Sequence, residues 1–191
     1  MSTWTAAEAA HLIAWYVFIQ WQTSNADNTR VRIAYEKGKR ELAKKGMGCQ
    51  PPGWLFGIAW FFIYLMLTAV AFVYFENSPE ASTYRIPIFV LFVVNIVLNK
   101  AWSNLYWDWQ RVGSALIVMC LLIDTAIATL VLLILDNSFS LWGLCVGLYV
   151  PYVAWLLFAG FLNWRWWRAG LRTMATPLRP VEPYQQFLLK K

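Results

Sequence analysis

Residues 53–75 read GWLFGIAWFFIYLMLTAVAFVYF, twenty-three consecutive positions without a charge. A helix of about 20 such residues crosses the ~30 Å hydrocarbon core of a bilayer. Working outward, the same hydropathy recurs over residues about 4–22, 86–107, 112–135 and 139–164. The first of these carries Glu8 and His11, the second Lys100, and the third Asp124. The runs are continuously apolar and lack the alternation of a barrel strand, so helices are expected. The expected fold is an all-α integral membrane protein, a bundle of five transmembrane helices. Residues 1–22 form the first transmembrane helix and 23–52 a basic cytosolic loop. Residues 53–170 hold the other four helices, and 171–191 form a Pro-rich tail on the cytosolic side.

Composition agrees. The chain is 60% hydrophobic and 14% charged, against about 25% charged in a soluble domain. Little polar sequence remains to build a second domain. Charge asymmetry tests the span count. Five spans place residues 23–52, the 100–111 connection and the tail on one side. That side holds fifteen of the sixteen Lys and Arg residues; Arg85 falls opposite. The positive-inside rule then puts the N-terminus outside the cytosol and the C-terminus within it. Topology accounts for the net charge of +6, so nucleic acid is not an expected partner; membrane lipids are.

The first ten residues hold no Lys or Arg, so the first helix is expected to serve as its own insertion signal. Cys49, Cys120 and Cys145 are odd in number and far apart, and form neither a disulfide framework nor a zinc pattern. Cys120 and Cys145 are expected to be buried small hydrophobes. His11 alone is a weak haem ligand. The sequence shows no nucleophile–base arrangement, phosphate loop or metal cluster, and no enzyme is expected. Residues 29–45 are rich in charge; they form either a helix on the membrane surface or a solvated loop. Pro51-Pro52 ends that segment and opens the next span.

Asn95, Asn99 and Trp102 share one face of the third span. Amides in hydrocarbon need partners, so the face is expected to point inward, for interhelical hydrogen bonds or for a ligand-facing wall. Tyr152, Trp155, Ala159 and Asn163 lie on one broad face of the fifth span. Trp60 and Tyr64 lie one turn apart on the second. Aromatic walls from three helices suit a flat polycyclic ligand. Trp4, Trp54, Trp107, Trp109, Trp164, Trp166 and Trp167 fit interfacial belts, and Arg165 and Arg168 anchor the last helix by snorkelling. Gly143 and Gly147 form a GxxxG, suited to close helix approach. Asp124 is the residue out of place, because a carboxylate within a span must be neutral, paired or wet.

Three stretches carry a resemblance: PPGWLFGIAWFFIY (51–64), LNKAWSNLYWDWQRVGSAL (98–116) and PYVAWLLFAGFLNWRWWR (151–168). Together they resemble the translocator protein family, also called tryptophan-rich sensory proteins, over residues about 50–170. The resemblance implies a five-helix bundle, often a homodimer, with a cavity open toward the cytosolic side. It implies porphyrin/haem or sterol-like polycyclic ligands and a multi-pass protein of a mitochondrial membrane, or else of a bacterial or plastid one. Carried over by motif, the ligand-binding positions are Trp60, Trp102, Trp155 and Asn163, with Asn99 behind them; Tyr64 and Ala159 share their helix faces. Several positions depart from the family pattern. Ser114 stands where the family has Trp, Val118 where it has Asp, and Trp164 where it has Tyr. Residues 46–49 (GMGC) replace KPxW. The connection between the fourth and fifth spans is longer.

Two functions follow. One is transport or sensing of a porphyrin or sterol-like ligand in a Trp-lined cavity. The alternative is a structural accessory subunit of a larger respiratory or photosynthetic membrane complex, using the scaffold with an eroded pocket.

Overall fold

The computed structural model describes residues 5–21, 28–48 and 50–171. The described residues are all-helical: α1 (Ala6–Gln20), α2 (Asn28–Lys44), α3 (Gly53–Asn77), α4 (Arg85–Ser103), α5 (Val112–Leu135) and α6 (Trp142–Arg168). A π-helical turn, Asn104–Asp108, extends α4. The tail beyond Leu171, Trp4 and Cys49 lie outside the described residues.

Four helices are long and apolar enough to cross a membrane: α3, α4 with its π turn, α5 and α6, of 24 to 27 residues each. The expected first span is present as α1. It starts at a capping box, in which Thr5 N donates to Glu8 Oε2 at 2.7 Å and Glu8 N to Thr5 Oγ1 at 3.2 Å. Its 15 residues reach only about 22 Å, short of the ~30 Å core. The expected five transmembrane helices are therefore corrected to four long enough to span and a shorter α1, with α2 as a sixth helix.

The five apolar helices close a ring. α1 packs on α3, α3 on α6, α6 on α5 and α5 on α4. Trp15 completes it, with its ring 5.3 Å from Phe75 of α3 and 5.6 Å from Phe92 of α4. Hydropathy cannot orient these helices, because they are apolar all round. Packing orients them instead. Gly160 of α6 lets α5 come close: a Cβ there would lie 2.9 Å from Ile123 Cδ1. The GxxxG expectation does not hold within the bundle, because Gly143 and Gly147 are exposed and a Cβ on either would meet open space.

At the end of the ring holding the α3–α4 and α5–α6 connections, polar groups are tied. Tyr74 Oη donates to Asp136 Oδ2 at 2.5 Å, and Ser138 Oγ to Asp136 Oδ1 at 2.6 Å. Arg85 donates to the Phe75 carbonyl at 2.8 Å and to Ser78 Oγ at 2.7 Å. Burial pushes the Asp136 carboxyl upward, but hydrogen bonds from Ser138, Tyr74 and Ser82 outweigh it, leaving its pKa below the usual value. His11 Nδ1 meets Glu76 Oε1 at 2.6 Å.

Residues 29–45 do form a helix, α2, and it packs on protein. It covers the opposite end of the ring, where α3 and α5 begin and α4 and α6 end. Tyr35 and Leu42 are buried. Tyr35 stacks on Trp166 at 5.5 Å and 13°, and meets Phe56 and Trp107 at 5.8 and 6.0 Å. Its hydroxyl donates to the Pro51 carbonyl at 2.8 Å. Burial, then the Glu36 charge, raise the Tyr35 pKa above its ordinary value. Gly38 lies against the Trp166 ring so closely that a Cβ would sit 2.1 Å from it. Lys45 Nζ donates to the Ala169 carbonyl.

Candidate ligand site

The sequence-derived aromatic residues meet inside the ring. Trp60 of α3 is central, with Tyr64 at 5.3 Å, Trp102 of α4 at 6.0 Å and Trp155 of α6 at 6.2 Å, edge-on at 88°. Trp102 stacks on Tyr106 of the π turn at 5.2 Å and 17°. Phe56 carries the cluster toward α2, 5.8 Å from Trp155 and 5.6 Å from Trp107. Such edge-on and offset pairs each stabilise by roughly 0.5–1.5 kcal/mol beyond their burial. The rings pack on one another, so a flat guest would have to part them.

The amides bind helices to each other. Trp102 Nε1 donates to Asn163 Oδ1 at 3.2 Å, and Asn163 Nδ2 to the Val112 carbonyl at 2.9 Å. Asn163, fully buried, thereby joins α4, α5 and α6. Asn95 Nδ2 reaches the Leu122 carbonyl at 2.9 Å and Thr125 Oγ1 at 2.8 Å, while Asn95 Oδ1 accepts from Tyr152 Oη. Asn99 Nδ2 donates to Tyr152 Oη at 3.4 Å, a long bond. Ala159 is buried one turn before Asn163.

Two polar atoms of this set are buried without a hydrogen-bond partner: Asn99 Oδ1, an acceptor, and Trp155 Nε1, a donor. Buried polar atoms are mostly satisfied, so this pair marks where a polar group of a guest or a water would fit. Trp155 also lines an outward-facing apolar groove of about 430 Å³ between α3 and α6, with Ile63, Pro151 and Ala154.

Several residues sit elsewhere than expected. Trp166 is fully buried and Trp107 partly so. Both pack against the core, whereas Trp54, Trp109, Trp164 and Trp167 are exposed as belt residues should be. Arg165 and Arg168 lie over Phe161 and Trp164 at 5.6 and 5.2 Å. Cys145 is buried, but Cys120 is exposed. Val118 is packed at the edge of the core, and Ser114 is exposed. Asp124 faces outward. Tyr35 and Gly38 were not legible as site neighbours. The one available signal was a tyrosine and a glycine three residues apart in an otherwise charged helix.

Comparison with known proteins agrees with this geometry. The model of the TspO/MBR family matches residues 12–168. Protein CrtK of Rhodobacter capsulatus is 31% identical over 120 residues, 62% of this chain and 70% of that protein. Tryptophan-rich protein TspO of Archaeoglobus fulgidus is 31% identical over 113 residues, 59% and 68% of the two chains. The Translocator protein of Bos taurus is 29% identical over 118 residues, 62% and 67%. A multi-pass membrane chain with this helix ring and these motifs belongs to the TspO/MBR family.

Proposed function

We propose that this protein binds a flat, mostly apolar polycyclic ligand, a porphyrin or sterol-like molecule, between Trp60, Trp102 and Trp155, for transport or sensing. The observation that carries it is the meeting of three tryptophans from three helices beside two unpartnered buried polar atoms. Indole faces stack on a polycyclic plate, and Asn99 Oδ1 and Trp155 Nε1 offer an acceptor and a donor to its polar edge. Asn163 acts by holding Trp102. In this reading α1 is the fifth span, residues 23–52 and the tail lie in the cytosol, and α2 covers the cytosolic mouth. A mitochondrial membrane is the proposed location.

The test is a titration of the protein in lipid nanodiscs with protoporphyrin. Saturable binding near ~1 µM, about −8 kcal/mol, weakened by both Trp60→Ala and Trp155→Ala, supports the site. Binding that is absent, or indifferent to both changes, removes it.

The accessory-subunit reading has one observation of its own. The rings pack directly together, and Tyr35 with Gly38 seals the mouth against Trp166. A scaffold packed in this way needs no guest. Co-migration with a large assembly on a native gel favours it, and migration as a small particle counts against it.

A further inference from the structure

The tryptophan chamber is bounded differently on two sides. At the end covered by α2, Tyr35 stacks on Trp166, Gly38 lies against the same ring, and Phe56 and Trp107 meet Tyr35 from behind. Toward the bilayer, Trp155 stands between the chamber and the groove of about 430 Å³ along the α3–α6 seam. Its ring is edge-on to Trp60 at 6.2 Å and lies 5.5 Å from the exposed Phe158. With the buried Ile63 it makes the floor of the groove, and Ala59, Pro151, Ala154 and Phe158 make the walls. All of them lie more than a turn inside the ends of α3 and α6, so the groove opens on hydrocarbon.

Trp155 is the wall that can move. Trp102 Nε1 is tethered to Asn163 Oδ1 at 3.2 Å, and Trp166 Nε1 to Gln50 Oε1 at 3.2 Å. Trp155 Nε1 has no hydrogen-bond partner among the described residues, so packing alone holds the indole in place. Its helix is also less constrained there. Pro151, one turn earlier, has no N–H, so the Gly147 carbonyl lacks its helical partner. The α3–α6 seam is packed more sparsely than the α5–α6 seam, where Gly160 lets Ile123 come close.

We propose that the groove is a docking surface for the polycyclic ligand and its entrance from the bilayer, with the Trp155 indole swinging aside to admit it. This rests on the ligand reading above. The groove and the chamber share Trp155, so a guest on the outer surface touches the same indole that it meets inside. A flat apolar molecule is already concentrated in the bilayer, because leaving water is favourable in proportion to its apolar area. The small Ala59 and Ala154 leave a slot, and the Trp155 and Phe158 rings offer faces to stack on. An acyl chain fills such a slot without stacking, so a polycyclic plate is the better occupant. Entry by this route leaves α2 in place; lifting α2 opens a further, separate route.

The experiment follows protoporphyrin binding to the full chain in lipid nanodiscs by stopped flow, with the dissociation rate and the equilibrium Kd measured alongside. Ala154→Phe fills the groove from an exposed position. It should slow association and dissociation alike, each by about tenfold, with Kd little changed, because a blocked passage acts on both directions equally. Phe158→Ala, which widens the groove, should quicken both by about threefold. Ile117→Phe, on the exposed face of α5, should leave both unchanged. The proposal is overturned if neither groove variant alters the rates, if Ala154→Phe acts on the dissociation rate alone, or if Ile117→Phe slows binding as much. It is equally overturned if only Gly38→Ala alters the rates. Where Trp60→Ala still weakens saturable binding, those outcomes remove the entrance and keep the ligand site. Absence of binding by the wild-type protein removes both. Should Ala154→Phe fold poorly, Phe158→Ala decides, because it only removes bulk at an exposed position.

Discussion

Asn163 shows how a single polar residue can earn its place inside a membrane bundle. It accepts from Trp102 Nε1 and donates to the Val112 carbonyl. Asn163→Leu would strand the Trp102 indole N–H, at about 1–3 kcal/mol, while the Val112 carbonyl keeps its bond within α5. Chemical unfolding in mixed micelles should show a loss of that size, and Trp102 fluorescence should report a looser ring. Asp136 works at the other end of the ring. Its hydrogen bonds to Tyr74 and Ser138 favour the charged form, so its folded pKa lies below the unfolded one. Its stabilising contribution is therefore present above the ordinary carboxylate range and is lost as pH falls through the folded value. Asp136→Asn should flatten the acid limb of a stability–pH profile; a profile identical to wild type would contradict this. Motif and helical spacing made Trp60, Trp102, Trp155 and Asn163 legible in the sequence. The bonding of the amides was not, because an asparagine facing inward has the same spacing whether it meets a ligand or a carbonyl on another helix.

α2 is the element that the sequence described least. Its charge count suits a solvated loop, while Tyr35, Gly38 and Leu42, with Ala34 beside them, face the protein side. Gly38 is there because the Trp166 ring occupies the space of a Cβ. Gly38→Ala should therefore lift α2 from the bundle end, by overpacking of about 1–3 kcal/mol. Amide hydrogen exchange across residues 31–44 should quicken tenfold or more, with exchange in α5 unchanged. In the proposed reading, where α2 covers the cytosolic mouth, the same variant should also quicken porphyrin association. The belt assignment of Trp166 failed for a related reason. Helix-end tryptophans face headgroups by default, but α2 covers this end of α6 and makes one of them interior. Four membrane-long helices were legible from length and hydropathy, and the first expected span only as the shorter α1. Their rotation was not, since side chains apolar all round leave it to contacts such as Gly160 against Ile123.

For the whole molecule, the ring order α1–α3–α6–α5–α4 and the charge distribution together predict sidedness. Single cysteines at Lys37 and Lys190 should react with an impermeant maleimide from one face of sealed vesicles. A cysteine at Asn137 or Glu80 should react from the other. Labelling of positions 37 and 137 from the same face would undo the proposed five-span topology and the proposed placement of α2 at a cytosolic mouth. The central claim is narrower: a polycyclic guest enters between Trp60, Trp102 and Trp155. Fluorotryptophan-labelled protein in nanodiscs, assigned by single Trp→Phe changes and titrated with protoporphyrin, reads this position by position. The porphyrin ring current should shift the resonances of Trp60, Trp102 and Trp155 together, saturating at one concentration. Trp54, Trp109, Trp164 and Trp167, on the outside, should stay still. Shifts confined to the outer four, or none at saturating porphyrin, would contradict the account.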